Sequence, residues 1–508
     1  MKLAGRRGGG AAGRWPAPLP ARFVAYWRPG LSVPRYGAAF RRSVTALLPS
    51  VTALLPSVTA LLPSITALLP SITALLPSVT VFLPARRPLP PVVVALLPFA
   101  RVHLVPPFMS VTTVHLRPGF VQPVWAGHPW VFAQAIARTD GTPTAGDEVL
   151  VYDPQGKPLG RGYWSPESAI PVRLLTRDAS VSLDGRFLWN RIEDAAAWRR
   201  TLARLPSADN SGYRLINAEG DGLPGLLVDV FGDAACVQFG TAGMKRRQAE
   251  VLDAVVQITG VARVYEVASE RHQQREGFTV TEGPVHGEGN APLRFIEGGV
   301  RFEVAAPGSD GGGQKTGYYF DQRDNRAAVA ALSAGRRVLD AYSYVGGFGL
   351  AAARAGAREV VSVDSSAPAL AAAERIAADN GLAERTTRVR GDVRRVLEDM
   401  GSRNERFDVV VLDPPKLARN AREVEKATSH YRKLNALAAR LVAPGGVLAT
   451  CSCSGSVSAD VFLRAVATGV RDAGRDAMVL AVRGAAMDHP TPAGFPEGRY
   501  LKCVLARL

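Results

Sequence analysis

Cysteine is scarce, with four in 508 residues. That excludes a disulfide-built scaffold and fits a reducing compartment. The four positions, Cys236, Cys451, Cys453 and Cys503, show no paired ligand spacing beyond one CxC, so no metal is expected. Acidic residues are missing altogether from residues 1–108, which hold twelve Lys or Arg. The formal net charge of +16 therefore misrepresents the remainder, where 49 basic residues face 45 acidic ones. Bulk charge says little about the partners of that larger part.

Residues 43–77 are five near-identical heptads, SVTALLP three times and SITALLP twice, with a worn copy at 78–84. A proline in every heptad excludes a coiled coil. The same prolines exclude a regular membrane-spanning helix, so no membrane partner is expected. An arginine-rich, acid-free leader also has the look of a transit peptide. The reading adopted here is translated upstream sequence, with ordinary mixed-charge protein starting at Met109 and 1–108 disordered.

Three regions follow. Residues 109–182 are rich in β-branched residues with frequent turn signals, including a hairpin turning at Asp153–Gly156. They read as a small β-rich module. Residues 183–299 read as a mixed α/β unit. A helix over 186–203 would bury Phe187, Leu188, Ile192, Ala195, Ala196 and Leu202 and expose its arginines. Two strands are expected in 213–239, then a polar, glycine-rich stretch at 282–292. From 300 to 508, strand and helix alternate. Five apolar strands (338–343, 359–364, 387–392, 407–415, 447–454) imply a Rossmann-like, doubly wound, mostly parallel sheet. Its ligand should sit at the carboxyl ends of the strands.

The chemistry-bearing motifs lie at those ends. Asp340-Ala-Tyr342-Ser-Tyr-Val-Gly346-Gly347-Phe-Gly349 is a glycine turn, but not with GxGxxG or P-loop spacing. Asp364 and Asp392 end the next two strands. Acidic ends on three successive strands suit a nucleoside without phosphates, such as the cationic S-adenosylmethionine. Each aspartate alone would pass as a helix cap or turn residue. Asp413-Pro414-Pro415-Lys416 is a rigid, acid-bearing turn fit to hold a nucleobase edge. Thr450-Cys451-Ser452-Cys453-Ser454 ends the adjacent strand. A thiolate there could attack carbon 6 of a pyrimidine and activate carbon 5 for methylation, on a base extruded from its stack.

GHPWVF (127–132), YRLINAEGDGLPGLLVD (213–229), GGQKTGYYFDQRDNR (312–326), VLDAYSYVGGFG (338–349), VVLDPPK (410–416), SCSG (452–455) and FPEGRYLK (495–502) occur in this order. Together they resemble the bacterial 23S ribosomal RNA (cytosine-5)-methyltransferase I family over essentially all of 110–508. The resemblance implies a PUA-like RNA-binding domain, a small central α/β domain and a Rossmann-like, class I methyltransferase domain. It implies S-adenosylmethionine as cofactor, ribosomal RNA of the large subunit as partner and a cytoplasmic enzyme. Cys453 matches the nucleophile and Asp413 the residue holding the cytosine. Asp340, Tyr342, Gly346, Gly347, Gly349, Asp364 and Asp392 match the cofactor site. The segment 314–323 would close over it, with Gln322 and Arg323 as cofactor contacts. Pro414, Lys416 and Lys315 would touch the substrate. Val345 replaces a common Thr, and Val124-Trp125-Ala126 lacks a basic pair common in the family. The residues themselves leave room for methylation of an exocyclic amine, which needs no cysteine, or for a non-catalytic RNA-binding assembly factor.

Overall fold

The computed structural model describes residues 112–268, 274, 276–280, 282–309 and 317–508. The heptad segment, expected to be disordered, lies outside the described residues, as does Lys315.

The first module is a six-stranded sheet in the order β2-β6-β5-β4-β1-β3. Its strands are β1 (Thr112–Leu116), β2 (Trp130–Val131), β3 (Ile136–Asp140), β4 (Glu148–Tyr152), β5 (Pro158–Trp164) and β6 (Val172–Thr176). Alternation in β4 buries Val149 and Val151. The expected hairpin turn forms because Asp153 Oδ1 accepts hydrogen bonds from the backbone N–H groups of Gln155 and Lys157.

The central unit is a five-stranded sheet, β11-β10-β9-β8-β7. Its strands are β7 (Gly212–Asn217), β8 (Leu226–Phe231), β9 (Ala234–Phe239), β10 (Arg263–Glu266) and β11 (Gly283–His286). Three expectations need correction here. Residues 213–239 hold three strands rather than two, because Gly232, at φ +63°, turns β8 tightly into β9. The stretch 282–292 contains β11. Helix α1 (Gly185–Trp198) runs on as a π-helical turn over Arg199–Ala203, but Leu202 is 71 % exposed, while Arg199 is fully buried against Asp221 and the carbonyl of Asp488. Helix α1 packs on α2 (Gln248–Thr259) through the apolar face that the sequence periodicity marks.

The hairpin β12 (Leu293–Glu297) and β13 (Val300–Val304) leads through α3 (Arg323–Ala330) to a seven-stranded sheet. Its order is β16-β15-β14-β17-β18-β20-β19. Here β14 is Arg337–Ala341, β15 Glu359–Asp364, β16 Thr386–Arg390, β17 Phe407–Leu412 and β18 Val442–Ser452. These five are parallel. β19 (Met478–Arg483) and β20 (Lys502–Arg507) add an antiparallel edge that the sequence pattern did not mark. Helices α4 (Gly347–Arg354), α5 (Ala367–Asp379), α6 (Val393–Ser402), α7 (Val424–Leu441) and α8 (Ala459–Asp472) cover the sheet. Neighbours in β14 such as Val338 and Leu339 enter separate apolar clusters. Burial on both faces explains why these strands read as continuous apolar runs.

The sheets are joined by buried ions. Arg323 pairs with Asp488 at 2.9 Å, and Arg326 with Glu297 at 2.6 Å. Arg323 also donates to the Gly212 carbonyl, and Asp488 accepts from the Arg214 N–H at 2.8 Å. Burial opposes ionisation of Asp488, but the neighbouring His489 and Arg323 hold its carboxyl far below the usual range. Such a lowered group stabilises the fold above the ordinary carboxylate pKa and stops doing so in strong acid. Asp488→Ala should lower stability by about 3–5 kcal/mol in urea denaturation, because it strands buried Arg323. Asp472→Ala, which removes an exposed partner of Arg432, should leave the urea midpoint unchanged.

Candidate active site

The parallel strands end along one edge, and the glycine turn follows β14 there. Asp340 is buried inside β14, and its Oδ2 accepts the Gly349 N–H at 2.8 Å. A Cβ on Gly349 would lie 3.1 Å from that oxygen, so the turn requires glycine. Tyr342 and Tyr344 adopt left-handed φ of 65° and 51°, and Gly346 follows at +85°. Left-handed non-glycine residues store strain that the surroundings must enforce. Asp364 does part of this, accepting from Tyr344 N–H at 2.9 Å and Ser366 N–H at 2.8 Å. Gly347 leaves room for Tyr318 and Arg326, which a Cβ would approach to 3.0 and 3.1 Å.

Burial pushes the Asp340 carboxyl up to about 7, and the nearby Asp413 and Asp364 carboxylates push the same way. Tyr342 is pushed up to about 12 by burial and by Asp392 and Asp364. The three strand-end aspartates are thus gathered around one turn. Asp392 is exposed and caps α6, accepting the Arg395 N–H at 3.0 Å. Asp340 Oδ1 and Ser343 Oγ are buried without a hydrogen-bond partner among the described residues. An acidic edge with buried, unsatisfied oxygens fits a cationic nucleoside that can donate hydrogen bonds.

The second half of the site lies at the ends of β17 and β18. Asp413 leaves β17 half-buried, followed by buried Pro414 and exposed Lys416. Gln322, expected at the cofactor, donates its Nε2 to Asp413 Oδ2 at 3.0 Å. Asn325 orients Gln322 by donating to its Oε1 at 2.7 Å, and Arg483 holds Asn325 at 3.1 Å. The Arg323 guanidinium is buried in the ion cluster with Asp488 and donates to the Gly212 carbonyl.

Cys453 lies just past β18 and is half-buried. Cys451 is buried opposite Cys503 in the β18–β20 register, and burial beside that thiol pushes its own thiol up. The two neighbouring cysteines therefore have different surroundings. Ser454 Oγ accepts the N–H groups of Leu417 and Ala418, both at 3.1 Å. Tyr431 OH, on α7, lies within 3.0 Å of Ser454 Oγ and 2.9 Å of Ser452 Oγ. This clamp ties the Asp-Pro-Pro turn to the strand end that bears Cys453. The sequence reading missed Tyr431 and Ser454, because both resemble ordinary core and turn residues. It also missed Tyr500, whose OH donates to Asp321 at 2.6 Å.

A cavity of about 890 Å³ opens beyond Tyr319, Asp321 and Tyr500. Trp130 and Arg173 of the first module, Arg214 of the central unit and Phe495 also line it, whereas the glycine turn and Cys453 do not. Trp130 packs edge-on to Phe495 at 4.7 Å, with its Nε1 donating to Glu219. Among the described residues no cluster of ligating side chains could hold a metal, and no helix is long and apolar enough to cross a membrane.

The raised Asp340 pKa has a defined consequence for stability. A raised group stabilises the fold fully only below its unfolded value, and the contribution is lost as pH rises through the folded value. Between pH 4 and about 7, Asp340 should cost stability with rising pH, by at most about 1.4 kcal/mol per pH unit. Urea denaturation across that range should show a flatter pH dependence for Asp340→Asn than for the wild type.

Comparison with known proteins agrees with this architecture. A family described as PUA-like domain matches residues 114–177, and one described as S-adenosylmethionine-dependent methyltransferase matches residues 245–481. The ribosomal RNA large subunit methyltransferase I of Klebsiella pneumoniae subsp. pneumoniae is 39 % identical over 383 residues, covering 75 % of this chain and 94 % of that one. The protein of the same name from Citrobacter koseri is 40 % identical over 402 residues, covering 79 % and 100 %. A solved structure described as a proposed SAM-dependent methyltransferase, from Streptococcus mutans, shares the fold. Its TM-score is 0.66 at 20 % identity, over 78 % of this chain and 100 % of that one. The chain is a S-adenosylmethionine-dependent methyltransferase, and it belongs to the ribosomal RNA large subunit methyltransferase I family.

Proposed function

We propose that this protein methylates carbon 5 of a cytosine in 23S ribosomal RNA through a covalent adduct with Cys453. The supporting observation is the pairing of two strand ends. The Asp413 turn and Cys453 leave adjacent parallel strands and are clamped together by Ser454 and Tyr431. We read residues 109–182 as the RNA-binding domain, 183–299 as a central domain and 300–508 as the catalytic domain, in a cytoplasmic enzyme acting on large-subunit RNA.

S-adenosylmethionine, when bound, supplies an electrophilic methyl group on a sulfonium. Gly346, Gly347 and Gly349 let the turn that would hold it pack closely on the protein, and Asp340, Tyr342, Asp364 and Asp392 would surround it with acceptors. Carbon 5 of cytosine is a poor nucleophile. Attack by the Cys453 sulfur forms a bond to carbon 6 and moves the ring double-bond electrons toward carbon 5. After methylation, carbon 5 loses its proton, the carbon 5–carbon 6 double bond returns and the thiolate leaves. Asp413 holds the ring edge throughout, with its direction set by Gln322. Pro414 and Lys416, on the turn after Asp413, face the substrate in this reading. The target base reaches this depth only when flipped from its stack, which favours looped or single-stranded RNA.

The full chain, labelled S-adenosylmethionine and unmodified ribosomal RNA test the reading, with nucleosides mapped by mass spectrometry. Wild type should yield 5-methylcytosine. Cys453→Ala should lose at least about 10³-fold in rate yet retain cofactor binding, and Cys451→Ala should remain active. Full turnover by Cys453→Ala would overturn the adduct and favour an exocyclic amine. Gln322→Ala should lower kcat by about 10- to 100-fold, read in single-turnover assays.

A further inference from the structure

Lys502 starts β20 and faces Ser452 in the antiparallel register with β18. The residue is only 5 % exposed. Its Nζ donates to the Ser454 carbonyl at 2.7 Å and the Tyr500 carbonyl at 2.8 Å. Cys453 therefore lies between the residue that Lys502 pairs with and a residue whose carbonyl it binds. Two of the three ammonium N–H groups are used, and one remains. Among the described residues no carboxylate forms an ion pair with Lys502, although every other lysine or arginine buried to this degree has one. A buried cation without an anion is costly. The anion that the site can supply is the sulfur of Cys453.

We propose that Lys502 is a positioning residue that holds Cys453 as the thiolate before substrate arrives. The proposal rests on the reading of Cys453 as nucleophile. Burial pulls the Lys502 ammonium down, Cys453 opposes this and Lys416 adds to it, leaving it at about 8. The phenols of Tyr319, Tyr431 and Tyr500 also feel Cys453, and Asp321 and Asp413 push Tyr319 in the same direction. Those two carboxylates disfavour a thiolate, so a cation is needed to offset them.

The test is the pH profile of Cys453 alkylation by iodoacetamide, in the full chain without RNA, resolved by peptide mass spectrometry. Cys236, Cys451 and Cys503 are buried and serve as internal controls. Wild type should titrate below the ordinary thiol value of about 8.5. Lys502→Met should move the midpoint up by about one unit or more, or roughly tenfold slower alkylation at pH 7. Lys502→Arg, which keeps the charge, should stay near wild type. A wild-type midpoint at or above the ordinary value overturns the proposal, even if Lys502→Met fails to fold. An unchanged profile in folded Lys502→Met overturns it equally. Because no RNA is present, a lowered midpoint without 5-methylcytosine formation would reject only the cytosine-5 reading. 5-Methylcytosine formation with an ordinary midpoint would reject only the role of Lys502.

Discussion

Four buried charges, Arg323, Arg326, Glu297 and Asp488, are the constraint on which the rest of the site depends. Burying any one of them alone would be severely unfavourable. Together they are paired, and Asp488 also takes a backbone N–H from β7. The cluster therefore connects the central sheet, the β12–β13 hairpin and α3. It also fixes the segment just before it in sequence. Gln322 can lie on Asp413 because Arg323, its neighbour, is anchored. Tyr318 can fill the space above Gly347 because Arg326 stacks on its ring at 4.6 Å.

The carboxyl edge of the parallel sheet has two kinds of strand end. At β14 and β15 the carboxylates hold backbone: Asp340 fastens Gly349 and Asp364 fastens Tyr344. They shape the turn as well as offering acceptors to a ligand. At β17 and β18 the working side chains are held by others. Gln322 aims Asp413, while Ser454 and Tyr431 lock together the two segments that present Asp413 and Cys453. The antiparallel β20 completes this half by bringing Lys502 against the end of β18.

The parallel sheet was legible because burial on both faces leaves a plain record of apolar runs, such as Phe407–Leu412. The glycine turn and the acid-bearing strand ends were legible for a related reason, since their backbone geometry restricts residue type. Other features left weaker traces. The β8–β9 turn rests on one glycine pair position and merges with its flanking strands. Arg199 carries the same charge as any exposed arginine, and partners distant in sequence, Asp221 and the carbonyls of Arg214 and Asp488, make its burial tolerable. Gln322 and Arg323 sit side by side in one motif, yet Gln322 faces Asp413 at a strand end and Arg323 faces the buried Asp488. Adjacent residues on a helix start point in different directions, and no linear pattern says which faces the site.

The shifted carboxyl of Asp340 has a calorimetric meaning. A group with a pKa of about 7 is partly protonated in neutral solution. A cationic ligand seated at the glycine turn favours the ionised form, so its binding expels a fraction of a proton. The heat of binding then includes the heat of protonating the buffer. It will differ between phosphate and Tris at the same pH, and the difference counts the protons released.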